Sequence, residues 1–428
     1  MANKKFSEFT LKTDPANVDF LVGYDGTDNV RIDPSNLGGG GASDLNGLSD
    51  CTADTTNNFI GNVPSSVSGA IQNTSLGINA LNPITSGSFN VGIGYSAGST
   101  ITTGSKNTTV GRAALANVST NSGSTAIGYQ AGFISTAGDS VYVGNEAGRG
   151  NTATGHISIG YQAGYSNTSG PYNTNVGYRA GYSNTTNSKR TCVGYKSAEF
   201  HTGSLSTFIG YQAGLGVSGS STGTQNTGVG RSALESLRNG GYNTALGSGA
   251  GNAITSGSFN VAIGRSSAGS LTTGDNNIVI GHNANVSSSS VNNEITLGDS
   301  SIATLRCAVT SITSLSDERD KSEIEDLSYG LAFIDALQPR EFVWDNRPET
   351  RKEVDEDGNE TEVEFYSANK GKKDFGFIAQ EVRELDNDTL RLVYSENEDK
   401  LELSYGKLVP ILVKAIQELK EEVELLKS

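Results

Sequence analysis

The chain has 428 residues, 54 of them Gly, with 35% hydrophobic residues, one Trp and a net charge of 31 − 46 = −15. That is too long for one ordinary domain and too poor in large apolar side chains for one ordinary core. The prominent Gly period is near 17 residues rather than three, which excludes collagen, and no apolar run approaches the roughly 18 residues that span a membrane.

The opening Met1-Ala2-Asn3-Lys4-Lys5 leads into no apolar stretch of the kind that marks a secretion signal. Cys51, Cys192 and Cys307 lie far apart without a CxxC, and there are three His, so neither a disulfide framework nor a Cys/His zinc site is expected. No metal or cofactor is expected elsewhere. Residues 316–428 carry 30 acidic and 16 basic residues, net −14, leaving −1 for residues 1–315. Only 5 of the 54 Gly lie after residue 315. Two differently built parts meet there. The acidic part repels phosphates and the rest has no basic run, so neither nucleic acid nor a membrane is an expected partner.

In chain order, residues 1–37 read as a small β module. Phe20–Tyr24 and Val30–Ile32 alternate in polarity around a turn at Asp25-Gly26-Thr27-Asp28, as a hairpin does. Such a module suits attachment to a larger particle. Residues 38–83 read as a Gly-rich linker, with Val67, Ile71, Ile78 and Leu81 at the spacing of a short coiled coil.

Residues 84–306 are a repeat. Gly94, Gly111, Gly128, Gly144, Gly160, Gly177, Gly194 and Gly210 are followed, after one longer step, by Gly230, Gly247, Gly264, Gly281 and Gly298. The intervals are 16 or 17 residues, except for 20 between Gly210 and Gly230. Ile, Val or Leu precedes each, and Ala usually stands three residues after it. The period is too short for a helical hairpin and fits a turn of a parallel β-solenoid or β-roll of about 13 rungs, with two short strands per turn. The aliphatic residue is expected to point inward, Gly to allow the bend, and Ala to form a narrower internal stack. Ser, Thr and Asn are expected in ladders along the outside. The three-residue insertion should bulge around Ser218 to Thr224. Three chains about an axis would supply the second hydrophobic face suggested by Tyr95, Tyr129, Tyr161, Tyr178, Tyr195 and Tyr211, so a homotrimer is expected. Too few Asp occur for a calcium-binding repeat, and no paired carboxylates mark a glycosidase.

The pattern in Ser124-Thr125-Ala126-Ile127-Gly128 and Asn260-Val261-Ala262-Ile263-Gly264 resembles the head repeats of trimeric autotransporter adhesins, which are trimeric left-handed parallel β-rolls. The period here is longer. That resemblance bears on architecture and not on family.

After a junction at 307–315, residues 316–428 have α+β character. Tyr329–Leu337, Phe375–Leu385 and Lys407–Lys427 read as helices, Arg340–Trp344 as a strand and Arg347–Phe365 as a charged hairpin around Asp357-Gly358-Asn359. In the last helix Leu412, Ile416, Leu419, Val423 and Leu426 form a coiled-coil seam of about two heptads. The order Ser316-Asp317-Glu318-Arg319-Asp320-Lys321, Leu337-x-Pro339-x-x-Phe342-x-Trp344, Gly376-Phe377-Ile378-Ala379-Gln380-Glu381-Val382 and Tyr405-x-x-Leu408-x-Pro410 resembles the C-terminal intramolecular chaperone of endosialidases and phage tail fibres.

That resemblance implies a trimerising domain that removes itself by cutting Leu315–Ser316, with Ser316 as nucleophile and Lys321 as general base. Ser needs a base, and Lys serves only when burial or nearby cations lower its affinity for the proton. Asp320 stands where many relatives carry Leu, and an acid beside Lys321 would favour the charged amine. The reading is a virion tail fibre of a bacteriophage, assembled in the host cytoplasm. It would be joined to the tail or baseplate by its N-terminus and would meet a host-surface glycan or protein through its stalk. The alternative is a cell-surface trimeric adhesin with a permanent, uncleaved C-terminal clamp. A membrane-tethered transcription factor lacks its DNA-binding segment here.

Overall fold

A computed structural model describes residues 20–24, 29–32, 51–53, 57–61, 64, 67–306, 316–354, 360–386, 389–395, 398–399 and 401–428. The chain forms two compact units, residues 1–212 and 213–428. It is mostly β: a parallel β-solenoid of about 14 turns, then a small α+β region ending in a helix. Among the described residues no helix is long and apolar enough to cross a membrane.

In the first unit, β1 (Phe20–Tyr24) pairs antiparallel with β2 (Asn29–Ile32), the expected hairpin. Its turn lies outside the described residues. β3 (Cys51–Ala53) pairs antiparallel with β4 (Asn57–Gly61), and β4 pairs in parallel with β5 (Asn73–Gly77). Three-residue strands then repeat once per turn from β6 (Val91–Ile93) to β13 (Thr207–Ile209), in parallel register such as Ile157 opposite Thr174 and Ile159 opposite Val176. The solenoid therefore starts before residue 84. Residues 73–77 are a strand rather than part of a coiled coil: Leu81 sits in the lumen while Val67, Ile71 and Ile78 are exposed. Ile60-Gly61 and Leu76-Gly77 repeat the aliphatic-Gly pair and carried that signal in the sequence.

Each turn has one strand and a run of tight turns, not two strands. In that short strand the middle residue faces the lumen and its neighbours face out. The aliphatic residue before each Gly thus points outward, contrary to expectation, and the lumen receives Thr109, Ala126, Tyr142, Cys192 or Phe208. The Ala column is internal as expected, with Ala97, Ala114, Ala131 and Ala147 fully buried. Lumen volume is balanced locally. Leu81 fills the space beside Gly92, and the Tyr142 ring occupies space that side chains at Gly132 and Gly148 would take.

The repeating Gly is required twice over. Gly128 has φ +136°, and a Cβ there would lie 2.3 Å from the carbonyl oxygen of Gly144 on the next turn.

The Asn ladder lies inside rather than outside. Asn90 donates from Nδ2 to Asn73 Oδ1 (3.0 Å) and to the Gly104 carbonyl (2.9 Å), while its backbone N–H also donates to Asn73 Oδ1 (2.9 Å). Burial is tolerated because each carboxamide is bonded on both sides. Between these apolar and Asn-lined turns lies a polar stretch. In the column that holds Ile84, Ile101 and Val118, later turns place Ser135, Asn151, Asn167, Asn184 and His201. Asn167 Nδ2 lies 3.2 Å from Nε2 of the buried His156, and burial lowers the His156 pKa to about 4.

In the second unit the strands continue from β14 (Thr227–Val229) to β18 (Ile295–Leu297), with the same internal ladder at Asn226, Asn243, Asn260 and Asn277. The insertion bulges as expected: Ser218, Gly219 and Ser220 are exposed, and buried Ser221 returns the chain by donating to the Leu237 carbonyl (2.7 Å).

Replacing Asn243 by Leu removes both the donor and the acceptor of one rung and leaves neighbouring amides unpaired. It should destabilise the solenoid by about 2–4 kcal/mol, read as a lower thermal midpoint by circular dichroism. The His156 pKa is lowered, so the unfolded chain binds the extra proton between pH 6.5 and about 4. Stability from this group is complete above pH 6.5 and falls as pH drops, by at most about 3 kcal/mol. His156→Asn should flatten the wild-type decline of thermal midpoint over that window, and parallel profiles would refute the assignment.

Candidate functional site

Ser316 opens the described C-terminal region; Leu315 lies outside the described residues. Asp317 caps a single 3₁₀ turn, Glu318–Asp320, with its carboxylate accepting the Arg319 backbone N–H at 2.9 Å. The same carboxylate takes two hydrogen bonds from the Arg319 guanidinium, at 3.0 and 2.6 Å. These bonds hold the Asp317 carboxyl below its usual range.

The turn folds Lys321 back on Ser316. Lys321 Nζ lies 2.7 Å from Ser316 Oγ and 3.3 Å from the Ser316 carbonyl oxygen. The two residues expected to act together are therefore brought together. Asp320 is not between them: among the described residues no ion pair or hydrogen bond joins it to Lys321, and the acid that finds a cation in this turn is Asp317. Ser316 and Lys321 are both exposed in the single chain. An amine accepts a Ser proton only in its neutral form, which burial or nearby cations favour.

The same region has a small core of Phe333, Leu337, Val382, Leu392, Val393, Leu408 and Ile411. Helix α1 (Leu331–Ala336) is shorter than expected, and α2 (Ala379–Asp386) starts later because Phe375 belongs to β22 (Lys373–Gly376). β22 pairs with β19 (Arg340–Val343), and β20 (Glu349–Val354) with β21 (Glu360–Phe365), the charged hairpin read from the sequence.

The separate sequence motifs meet here. Arg340 makes a two-point ion pair with Glu381 (3.1 and 3.0 Å), Trp344 Nε1 donates to Asp374 (3.1 Å), and the Phe377 N–H donates to the Tyr405 hydroxyl (3.1 Å). Sequence reasoning missed Asp386. Its buried carboxylate accepts the N–H groups of Leu390 (2.6 Å) and Leu392 (2.9 Å) and ties both to the end of α2. It also missed Glu418, whose carboxylate accepts the Leu331 N–H at the start of α1 (2.7 Å).

Helix α3 (Leu408–Lys427) turns Leu408, Ile411 and Ala415 into the core. Its heptad residues Leu412, Ile416, Leu419, Val423 and Leu426 are all exposed on the single chain.

Residues 316–391 match the family described as chaperone of endosialidase. The match begins at Ser316 itself. It ends before α3, so the final sequence motif and the heptad seam lie beyond it. No curated protein matches the chain, and no solved structure does. The chaperone-of-endosialidase segment and the β-solenoid before it fit a trimeric fibre with a C-terminal chaperone.

Asp386→Ala leaves two backbone N–H groups unpaired in the chaperone core. It should lower that domain's stability by about 2–4 kcal/mol, measured by denaturant unfolding followed at Trp344, the chain's single Trp. An unchanged midpoint would show that the two N–H groups are not held by this carboxylate.

Proposed function

We propose that the protein is a trimeric fibre whose C-terminal domain drives assembly and then releases itself by self-cleavage at Leu315–Ser316. The observation that carries this reading is the 2.7 Å approach of Lys321 Nζ to Ser316 Oγ at the first residue of the chaperone-of-endosialidase match. Once buried and neutral, Lys321 takes the Ser316 hydroxyl proton as Oγ attacks the carbonyl carbon of residue 315. The C–N bond breaks, the Ser316 amine leaves with a proton, and an ester joins residue 315 to Ser316 Oγ. Water then hydrolyses the ester, giving a carboxylate at residue 315 and a free Ser316 amine and hydroxyl.

The exposed heptad seam of α3 supports trimerisation of the chaperone, since its Leu, Ile and Val are uncovered on the single chain and stand at coiled-coil spacing. In this reading the fibre is a virion tail fibre, assembled in the host cytoplasm. The hairpin of residues 20–32 lies on the side of the particle, and the stalk meets a host-surface glycan or protein. A second reading, a cell-surface adhesin with a permanent clamp, draws on the exposure of both Ser316 and Lys321.

Intact mass spectrometry separates the two. The first reading expects wild type to break after residue 315, with Ser316→Ala and Lys321→Ala unbroken. An unbroken wild type that is trimeric by light scattering would leave the permanent clamp.

A further inference from the structure

The solenoid presents a face that the lumen does not account for. On every strand from Val91–Ile93 to Thr207–Ile209, both outward positions hold Val, Ile or Thr, and none is charged. The same holds in the second unit from Thr227–Val229 to Ile295–Leu297, with Leu added. Ile127 is 40% exposed and Leu246 50%. Parallel sheets are ordinarily covered on both faces. Here one face lines the lumen and the other, an uncharged row of Val, Ile, Leu and Thr, meets solvent in the single chain. In the first unit alone the face runs over eight consecutive strands, and Ile93, Ile127, Ile157, Ile159 and Ile209 on it are each more than a third exposed, a contiguous row of the kind that marks a contact surface.

The tyrosines are a weaker candidate for contact between chains. Tyr161, Tyr178, Tyr195 and Tyr211 stack on one another within the chain at 5.1–5.2 Å, so their ring faces are already covered. Charged side chains flank them: Lys196 lies against Tyr195, and Arg112 lies between Tyr95 and Tyr129.

We infer that the strand face, rather than the tyrosine column, is where copies of this chain pack against one another along the stalk. The occupant is argued from period. The face repeats at the strand spacing of ~4.8 Å, with one Thr-or-aliphatic pair per rung. A surface built on the same rung stays in step with it over many turns, and this chain supplies one. Charge agrees, because an uncharged face excludes no identical face. This inference rests on the trimeric reading above and names the surface that reading uses.

Single cysteines placed in the full chain test it, in a background of Cys51→Ser and Cys307→Ser with buried Cys192 retained. Ile127→Cys and Leu246→Cys sit on the strand face, Tyr178→Cys on the ring column and Thr186→Cys on an exposed turn. Thr244→Cys, outward on the same strand as Leu246, repeats the test with a small change of shape. The expected result is a trimer by light scattering in which maleimide labels positions 127, 244 and 246 at least tenfold more slowly than position 186. A trimer whose strand positions label as fast as position 186, or in which only position 178 is protected, overturns the inference and leaves the trimeric reading standing. A monomer overturns both.

Discussion

Within each unit the turns of the solenoid lay backbone directly on backbone. At the glycine bend the approach is close enough that a Cβ on Gly247 would meet the carbonyl oxygen of Gly264 at 2.5 Å. Once that approach fixes the rise per turn, equivalent residues must stand in columns. The Ala column keeps the lumen narrow, and the Asn carboxamides span one rise with a single hydrogen bond, as from Asn260 to Asn243 at 3.1 Å. Each such bond contributes modestly. Stability then accumulates through contacts between neighbouring turns, as in other solenoids.

The columns are not uniform, and the departures matter. Tyr142, His156, Arg190 and Phe208 are large lumen residues, and the Tyr142 ring depends on the absence of side chains at Gly132 and Gly148. In the preceding turn the position equivalent to Gly132 is Leu115, so a slip in that direction would drive the ring against a side chain. These residues therefore mark register inside a repeat whose Gly and Ala columns alone would tolerate slippage. The same stretch replaces aliphatic lumen contacts with Ser135, Asn151, Asn167 and Asn184, so local stability along the stalk is uneven.

The glycine period announced the solenoid, and Ala three residues on announced an internal column. The direction of the aliphatic residue was not legible. In a three-residue strand the most regular apolar position was the outward one. The inward position varies from Gly92 to Phe208 because its volume is traded against neighbours in the lumen. The Asn ladder was legible as a ladder but not as an internal one, since its partners are one turn away. In the C-terminal region, the Ser316–Lys321 spacing pointed to a contact that a 3₁₀ turn delivers, and the ordered motifs pointed to a common core. Asp386 could not be read, because its partners are backbone N–H groups and leave no trace in side-chain identity.

The reversed strand Cys51–Ala53 has a further consequence. A stack of parallel rungs has an open edge at each end, and each edge is a template for another chain. Cys51 pairs opposite Ile60 and Ala53 opposite Asn58, so the first strand of this sheet runs opposite to the parallel rungs that follow it. A further rung added there would meet a strand of opposite direction, so this edge offers a second copy a hydrogen-bond pattern unlike the one that joins rung to rung.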